Sequence, residues 1–157
     1  MVVSPHPLAK EAGRAVLARG GNAIEAAVAV AAVLAVVMPH FCGLGGDAVW
    51  LVCDREGHRR CFLGIGQAAA GVTVPKDAIP ARGPSSMLTS ACAVDSWGHA
   101  LAFSAANWAS RESFADLMSP AIELADGGYI PSASQDFWLD FRGQEHPVWP
   151  GFAAIFD

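Results

Sequence analysis

The stretch Pro39–Asp47, PHFCGLGGD, separates the most apolar part of the chain from its most strand-like part. An uncharged run ends at a proline, and Gly43, Gly45 and Gly46 then crowd into one bend. A fixed glycine costs conformational entropy, so a cluster implies either backbone at positive φ or something that comes very close. A dinucleotide fingerprint needs a strand before the glycines, a helix after them and G-x-G-x-x-G spacing. Here a helix precedes, a strand follows and the spacing is G-x-G-G, so a tight helix-to-strand turn packed under neighbouring backbone is the expectation. A lesser role is open beside it, in which backbone N–H groups line a pocket for an anionic substrate group.

On the N-terminal side, SPHPLAKEAGRAVLARGGN reads as a complete helix. Pro7 suits the first turn, Leu8, Ala12 and Val16 recur on one face, and Gly20 can take the left-handed position that ends it. Asn22 then stands where a second helix wants its N-cap. That helix, Asn22 to Met38, is about 25 Å long. Its one charge, Glu25, sits in the first turn, where the helix dipole favours an anion. Beyond Glu25 it is apolar all round and is expected to be buried. Pro39 disfavours helix at Met38 and stops it.

On the C-terminal side, AVWLVC (48–53) is a compact apolar strand, DREGH a polar turn, and RRCFLGI a second strand, together a hairpin. Residues 67–84 are rich in alanine, proline and glycine and read as irregular. Val94 to Phe103 suits a helix, and SFAD and SASQ resemble capping boxes opening helices near Ser113 and Ser132. Gly127-Gly128 closes the first of these. The tail RGQEHPVWPGFAAIFD is aromatic and proline-rich. The order helix, buried helix, hairpin, irregular crossing, helices predicts a layered α/β (α+β) domain rather than a doubly wound parallel sheet.

Composition bounds the partners. The 157 residues are 53% hydrophobic and only 16% charged, against roughly half and a quarter for ordinary soluble domains. So apolar a chain suits a piece that is mostly interior, its surface supplied by other sequence. A net charge of −5 leaves no basic footprint for nucleic acid or an anionic membrane. The longest apolar stretch, Ala26 to Met38, is shorter than the roughly 20 residues a membrane-spanning helix needs. Residues 1–7 show no secretion signal, which makes the cytoplasm the expected compartment. Cys42, Cys53, Cys61 and Cys92 form no C-x-x-C pair and read as small buried hydrophobes in a reducing compartment, although Cys53 and Cys61 could face each other across the hairpin.

Chemistry-bearing groups are sparse. No G-x-S-x-G elbow is present. His6 and His40 flank prolines at helix ends, where capping or core roles suit them, and His58 belongs to a turn. His40, Cys42, Cys53, His58 and Cys61 lack the paired short spacings of a zinc site, so no metal and no cofactor are expected.

Taken in order, HPLA, GGNAIEAA, the alanine-valine helix ending in proline, and GLGGD before an apolar strand resemble the opening of the γ-glutamyltranspeptidase family of N-terminal-nucleophile hydrolases. AVDSW and SPAIELADGGYIP look like later segments of the same family, so the likeness runs from about Val2 to Ser134. The resemblance implies part of an αββα sandwich, with residues 1–157 as a single partial domain from the N-terminal part of the large subunit. It also implies, as partners, the remainder of that subunit and a small catalytic subunit. In the family, one chain cuts itself to expose an N-terminal threonine, whose hydroxyl attacks a γ-glutamyl amide while its own amino group acts as base. Backbone N–H groups then hold the oxyanion.

Thr73 and Thr89 are the only threonines here, and neither lies in a cleavage-like segment. The attacking residue is therefore expected outside these residues, and the isolated chain is expected to be inactive. The resemblance places Gly45, Gly46 and Asp47 at the pocket wall. After the hairpin, where relatives carry an arginine that meets the substrate carboxylate, this chain reads LGIGQAAAGVTVP, with Gln67 near that place. A guanidinium offers a permanently charged bidentate fork that glutamine lacks. This leaves open a γ-glutamyl amide of glutathione type or a related amide. A further departure is LTSACAV, where relatives have a proline-glycine turn. The alternative is a degenerate or truncated copy, at most a subunit-binding module.

Overall fold

The computed structural model describes residues 1–73, 76–144 and 151. Its elements are α1 (Pro7–Ala18), α2 (Ala23–Val37), β1 (Ala48–Cys53), β2 (Arg59–Gly64), α3 (Ala93–Asn107), α4 (Phe114–Gly127) and α5 (Ala133–Arg142), with a short 3₁₀ turn at Pro84–Ser86. The expected order of elements holds, and the fold is α+β. The expectation for the tail falls largely outside the described residues.

Helix α2 is the centre of the molecule. Asn22 caps it through its side chain, which accepts from the N–H groups of Ile24 and Glu25, and Glu25 returns a bond to the Asn22 N–H to complete a capping box. Val28, Ala29, Val33 and Val37 of α2 are fully buried among Ala9 and Val16 of α1, Trp97 of α3 and Leu117 of α4. Short side chains dominate this core and let the helices approach closely. At Gly13 of α1 a Cβ would come within 2.6 Å of Val30 and 3.2 Å of the Ala26 carbonyl oxygen, so α1 sits almost on the backbone of α2.

Packing through small residues corrects the expected face of α1. Its buried stripe is Ala9, Ala12, Gly13 and Val16, while Leu8 is 39% exposed. Leu8 instead borders an apolar groove shared with Met38, Leu124, Tyr129 and Ile130.

Strands β1 and β2 pair antiparallel, Trp50 opposite Phe62 and Leu51 opposite Cys61. The strand period of two divides the hairpin into unlike faces. Trp50 turns toward α3 and donates its indole N–H to Ser96 Oγ at 3.0 Å. Phe62 meets Phe103 of α3 at 5.1 Å between ring centroids. The opposite face carries Val49, Leu51 and Leu63, which are 59%, 84% and 66% exposed. Cys53 and Cys61 stand in this hairpin opposite Arg59 and Leu51 rather than opposite each other. Both are free and exposed, which corrects the expectation of buried thiols and of a facing pair.

Helix α3 is longer than expected and begins one residue earlier. Ser113 opens α4 with a full capping box to Asp116, and Ser132 opens α5 by accepting from the Gln135 N–H. Gly128, at φ 79°, ends α4 in the left-handed region that favours glycine. No described helix is long and apolar enough to cross a membrane.

Candidate functional site

The glycine turn leaves α2 through the Met38 carbonyl, which accepts from the N–H groups of Phe41 and Cys42. Neither expected reason for its glycines is found here. Gly43, Gly45 and Gly46 are not among the glycines at positive φ. A Cβ on Gly43 or Gly45 would meet nothing within 4 Å, and one on Gly46 would make only an ordinary contact, 3.7 Å from the Gly43 carbonyl oxygen. The expectation of a turn packed under neighbouring backbone is therefore corrected: the turn faces open space.

Its C-terminal end is held firmly. The Gly46 carbonyl accepts from the N–H groups of Cys92 at 3.1 Å and Ala93 at 2.9 Å, at the start of α3. Asp47 Oδ1 accepts from the Gly66 N–H at 2.9 Å, closing the open end of the hairpin. Gly66 itself has no room for a side chain, because a Cβ there would run into the Ser90 carbonyl. One residue on, the Gln67 carbonyl accepts from the Ser90 N–H at 2.9 Å and its hydroxyl at 3.1 Å. The structure thus brings Gly46 and Gln67 to one exposed corner through residues 90–93, and Asp47 to it through Gly66, with Gly45 beside them. Residues 90–93 lie in LTSACAV, the segment expected to depart from the family pattern, and spacing alone did not single them out.

Two contacts with α5 flank the turn. Phe41 meets Trp138 of α5 edge-on at 5.5 Å, and His40 Nε2 lies 3.0 Å from Ser134 Oγ. Burial pushes the His40 pKa down, which suits a neutral ring tied to a hydroxyl. Burial pushes the Cys42 thiol up, the opposite of what an activated nucleophile needs. His6 caps α1, its Nδ1 accepting from the Leu8 N–H.

His40, Cys42, Cys53, His58 and Cys61 are not gathered into a metal-binding group among the described residues; the one group whose ligand atoms converge there is Asp54, Glu56 and His58. These belong to the exposed hairpin turn, where His58 Nδ1 lies 2.9 Å from Asp54 Oδ2, an arrangement that a solvated turn explains. Thr89 forms an isolated bridge with Ala68, and Thr73 is exposed in the irregular segment.

A second polar site went largely unforeseen. Glu25 is fully buried. Its Oε1 accepts from Ser110 Oγ at 2.6 Å, Arg111 N at 2.7 Å and Glu112 N at 2.8 Å, and its Oε2 accepts from Asn22 N at 2.7 Å. Burial works to raise its pKa, but these hydrogen bonds outweigh burial and hold the carboxyl below its usual range. The N-x-x-E capping spacing was the one signal for it, and that signal says nothing of partners 85 residues away.

Comparison with known proteins agrees with this architecture. The chain is 45% identical over 140 residues to the glutathione hydrolase-like YwrD proenzyme of Bacillus subtilis, covering 86% of this chain and 26% of that protein. It is 40% identical over 157 residues to the oxamate amidohydrolase proenzyme of Klebsiella pneumoniae, covering 98% and 30% respectively. Among solved structures, the Helicobacter pylori γ-glutamyltranspeptidase superposes with a TM-score of 0.81 at 26% identity, over 97% of this chain and 44% of that one. The chain therefore spans less than a third of the length of these two curated relatives. The family model for gamma-glutamyltranspeptidase matches residues 9–156, and with the shared fold this shows that the chain belongs to the γ-glutamyltranspeptidase family.

Proposed function

We propose that this chain is the N-terminal scaffold of an amide-cleaving acyl transferase or hydrolase, and that it supplies pocket walls but not the nucleophile. The observation that carries the reading is the family match across residues 9–156. The corner formed by Gly45, Gly46, Asp47 and Gln67 is the substrate-facing part of the scaffold. A threonine in the remaining sequence attacks the amide carbon with its hydroxyl, its amino group takes the proton, and the amine leaves. Water or an amino acceptor then takes the acyl group from the ester. The partners of this chain are the rest of the large subunit and the small subunit that carries the threonine.

The substrate is a small amide, either γ-glutamyl as in glutathione or a related one. Two observations favour the related amide. No arginine occurs between Arg60 and Arg82, so Gln67 offers hydrogen bonds but no charge to a substrate carboxylate. One relative at 40% identity is named for oxamate rather than glutathione. The test compares the protein expressed from its whole reading frame with residues 1–157 alone, on γ-glutamyl-p-nitroanilide, glutathione and oxamate. Turnover is expected from the former only, and turnover by the 157 residues alone overturns the scaffold reading. Gln67→Arg is expected to lower KM for γ-glutamyl substrates by about tenfold or more, the value of a charged hydrogen bond.

A further inference from the structure

Among the described residues the most deeply buried carboxylate, Glu25, has no part in the chemistry just described, yet it holds together elements that lead to the site. The N-cap of α2 is tied to the C-terminal half of α3, and the glycine turn that follows α2 is tied to the start of α3. At one end Asn22 Nδ2 donates to the buried Ser104 Oγ at 2.6 Å, and residues 110–112 wrap Glu25. At the other, the Gly46 carbonyl receives the first N–H groups of α3. Ala109, at φ 53°, is the one non-glycine residue at positive φ among the described residues. That turn, unfavourable for a side chain, lets three successive residues aim their donors at a single oxygen.

We propose that ionised Glu25 is a positioning residue: it is the template on which residues 109–112 fold, and through α3 it sets where the glycine turn and Asp47 stand. A glutamine at this position keeps one acceptor oxygen but turns an NH2 toward a site made of donors. The effect of protonation has a definite sign. Because the folded-state pKa lies below the ordinary value of 4.5, the anchor is fully present above that value and is lost as pH falls through the folded pKa. The charged groups around it are Arg111, whose guanidinium lies against Gly20, the Arg19–Glu112 pair at 2.8 Å, and Asp116 at the start of α4, held ionised by Ser113.

The test is backbone hydrogen exchange on the protein expressed from its whole reading frame, as wild type, Glu25→Gln, Glu25→Asp, Ser110→Ala and, as a control for the neighbouring carboxylate, Asp116→Asn. In Glu25→Gln, protection is expected to fall about tenfold or more both at 111–113 and at Gly66, Cys92, Ala93 and Ser96, whose N–H groups hold Asp47, the glycine turn and the start of α3, as one cooperative unit. Ser110→Ala should lose less at the same two places, and Glu25→Asp should recover part of the protection. Wild-type protection at both places should fall together below about pH 4.5, a fall that Asp116→Asn retains and Glu25→Gln abolishes. Loss confined to 111–113 overturns the link through α3, and an acid profile unchanged in Glu25→Gln overturns the carboxylate as anchor. If Glu25→Gln does not fold, Ser110→Ala and the wild-type titration decide alone. The inference rests on the proposed corner for its meaning in catalysis, but exchange is read without substrate, so failure of that reading leaves this test standing.

Discussion

The two ends of α2 are built on opposite principles. At its N-terminus Glu25 is fully buried and receives four hydrogen bonds from the chain itself. At its C-terminus the chain runs into Gly43, Gly45 and Gly46, which face open space, and on to a hairpin with one bare apolar face. Buried polar groups must be satisfied where they lie, and the first end meets that demand locally. The second end exposes apolar surface that a self-sufficient domain would cover. One end is satisfied within these residues and the other is not, which is the contrast that the proposed scaffold role requires.

The largest expected effect tests the satisfied end. Glu25→Ala strands the N–H groups of Asn22, Arg111 and Glu112 and the Ser110 hydroxyl in a buried space, at a cost of about 4 kcal/mol. Denaturant unfolding would show it as a lower midpoint. A loss under about 1 kcal/mol would mean that water replaces the carboxylate freely, and the contrast between the ends would collapse.

Glycine substitutions sharpen the comparison next. Gly66→Ala drives a Cβ into the Ser90 carbonyl and should destabilise by about 2 kcal/mol or more, the usual cost of overpacking. Gly45→Ala meets nothing within 4 Å and should stay within about 0.5 kcal/mol of wild type, as surface changes do. If Gly45 lines the pocket and the proposed activity holds, however, Gly45→Ala should lower kcat/KM in the protein expressed from its whole reading frame. Full activity alongside unchanged stability would remove Gly45 from the proposed wall.

These contrasts also explain what could be read from the sequence. Asn22, Ser113 and Ser132 were legible as caps because capping is local chemistry, settled within four residues. The hairpin was legible because AVWLVC and RRCFLG flank a polar turn. What was not legible depends on distant partners. The glycine cluster looked like a packed turn because glycine spacing is the same whether a neighbour is near or absent. The most crowded glycine is Gly66, whose obstacle, the Ser90 carbonyl, lies 24 positions away and could be found only from the fold. Glu25 looked like a dipole charge for the same reason. Gly46, Asp47 and Gln67 were picked out by resemblance, and what joins them is backbone bonds from 90–93 to Gly46 and Gln67 and the Asp47 carboxylate on the Gly66 N–H, none of which a side-chain pattern encodes.

Asp47 offers a finer division of scaffold from site. Its carboxylate closes the hairpin through the Gly66 N–H, so Asp47→Ala should cost about 1 kcal/mol. Asp47→Asn keeps an acceptor oxygen and should cost less. If Asp47 only closes the hairpin, the KM of the proposed activity should follow stability and Asp47→Asn should be nearly silent. A raised KM in Asp47→Asn, with the unfolding midpoint unchanged, would assign its charge to the substrate instead.

The smallest expected effect concerns the bare face. Leu51 is 84% exposed, so Leu51→Lys should change the stability of residues 1–157 by no more than about 0.5 kcal/mol. It should also make that chain less prone to associate, because it breaks an apolar patch on an unprotected sheet. The same change in the protein expressed from its whole reading frame should be far more costly, since a lysine there would sit beneath whatever completes the sandwich and could not stay solvated. Size-exclusion chromatography of the two forms, with and without the substitution, reads both halves of the prediction. Equal tolerance in the two would mean that this face stays in water in the finished protein, and that the unsatisfied end of α2 completes nothing.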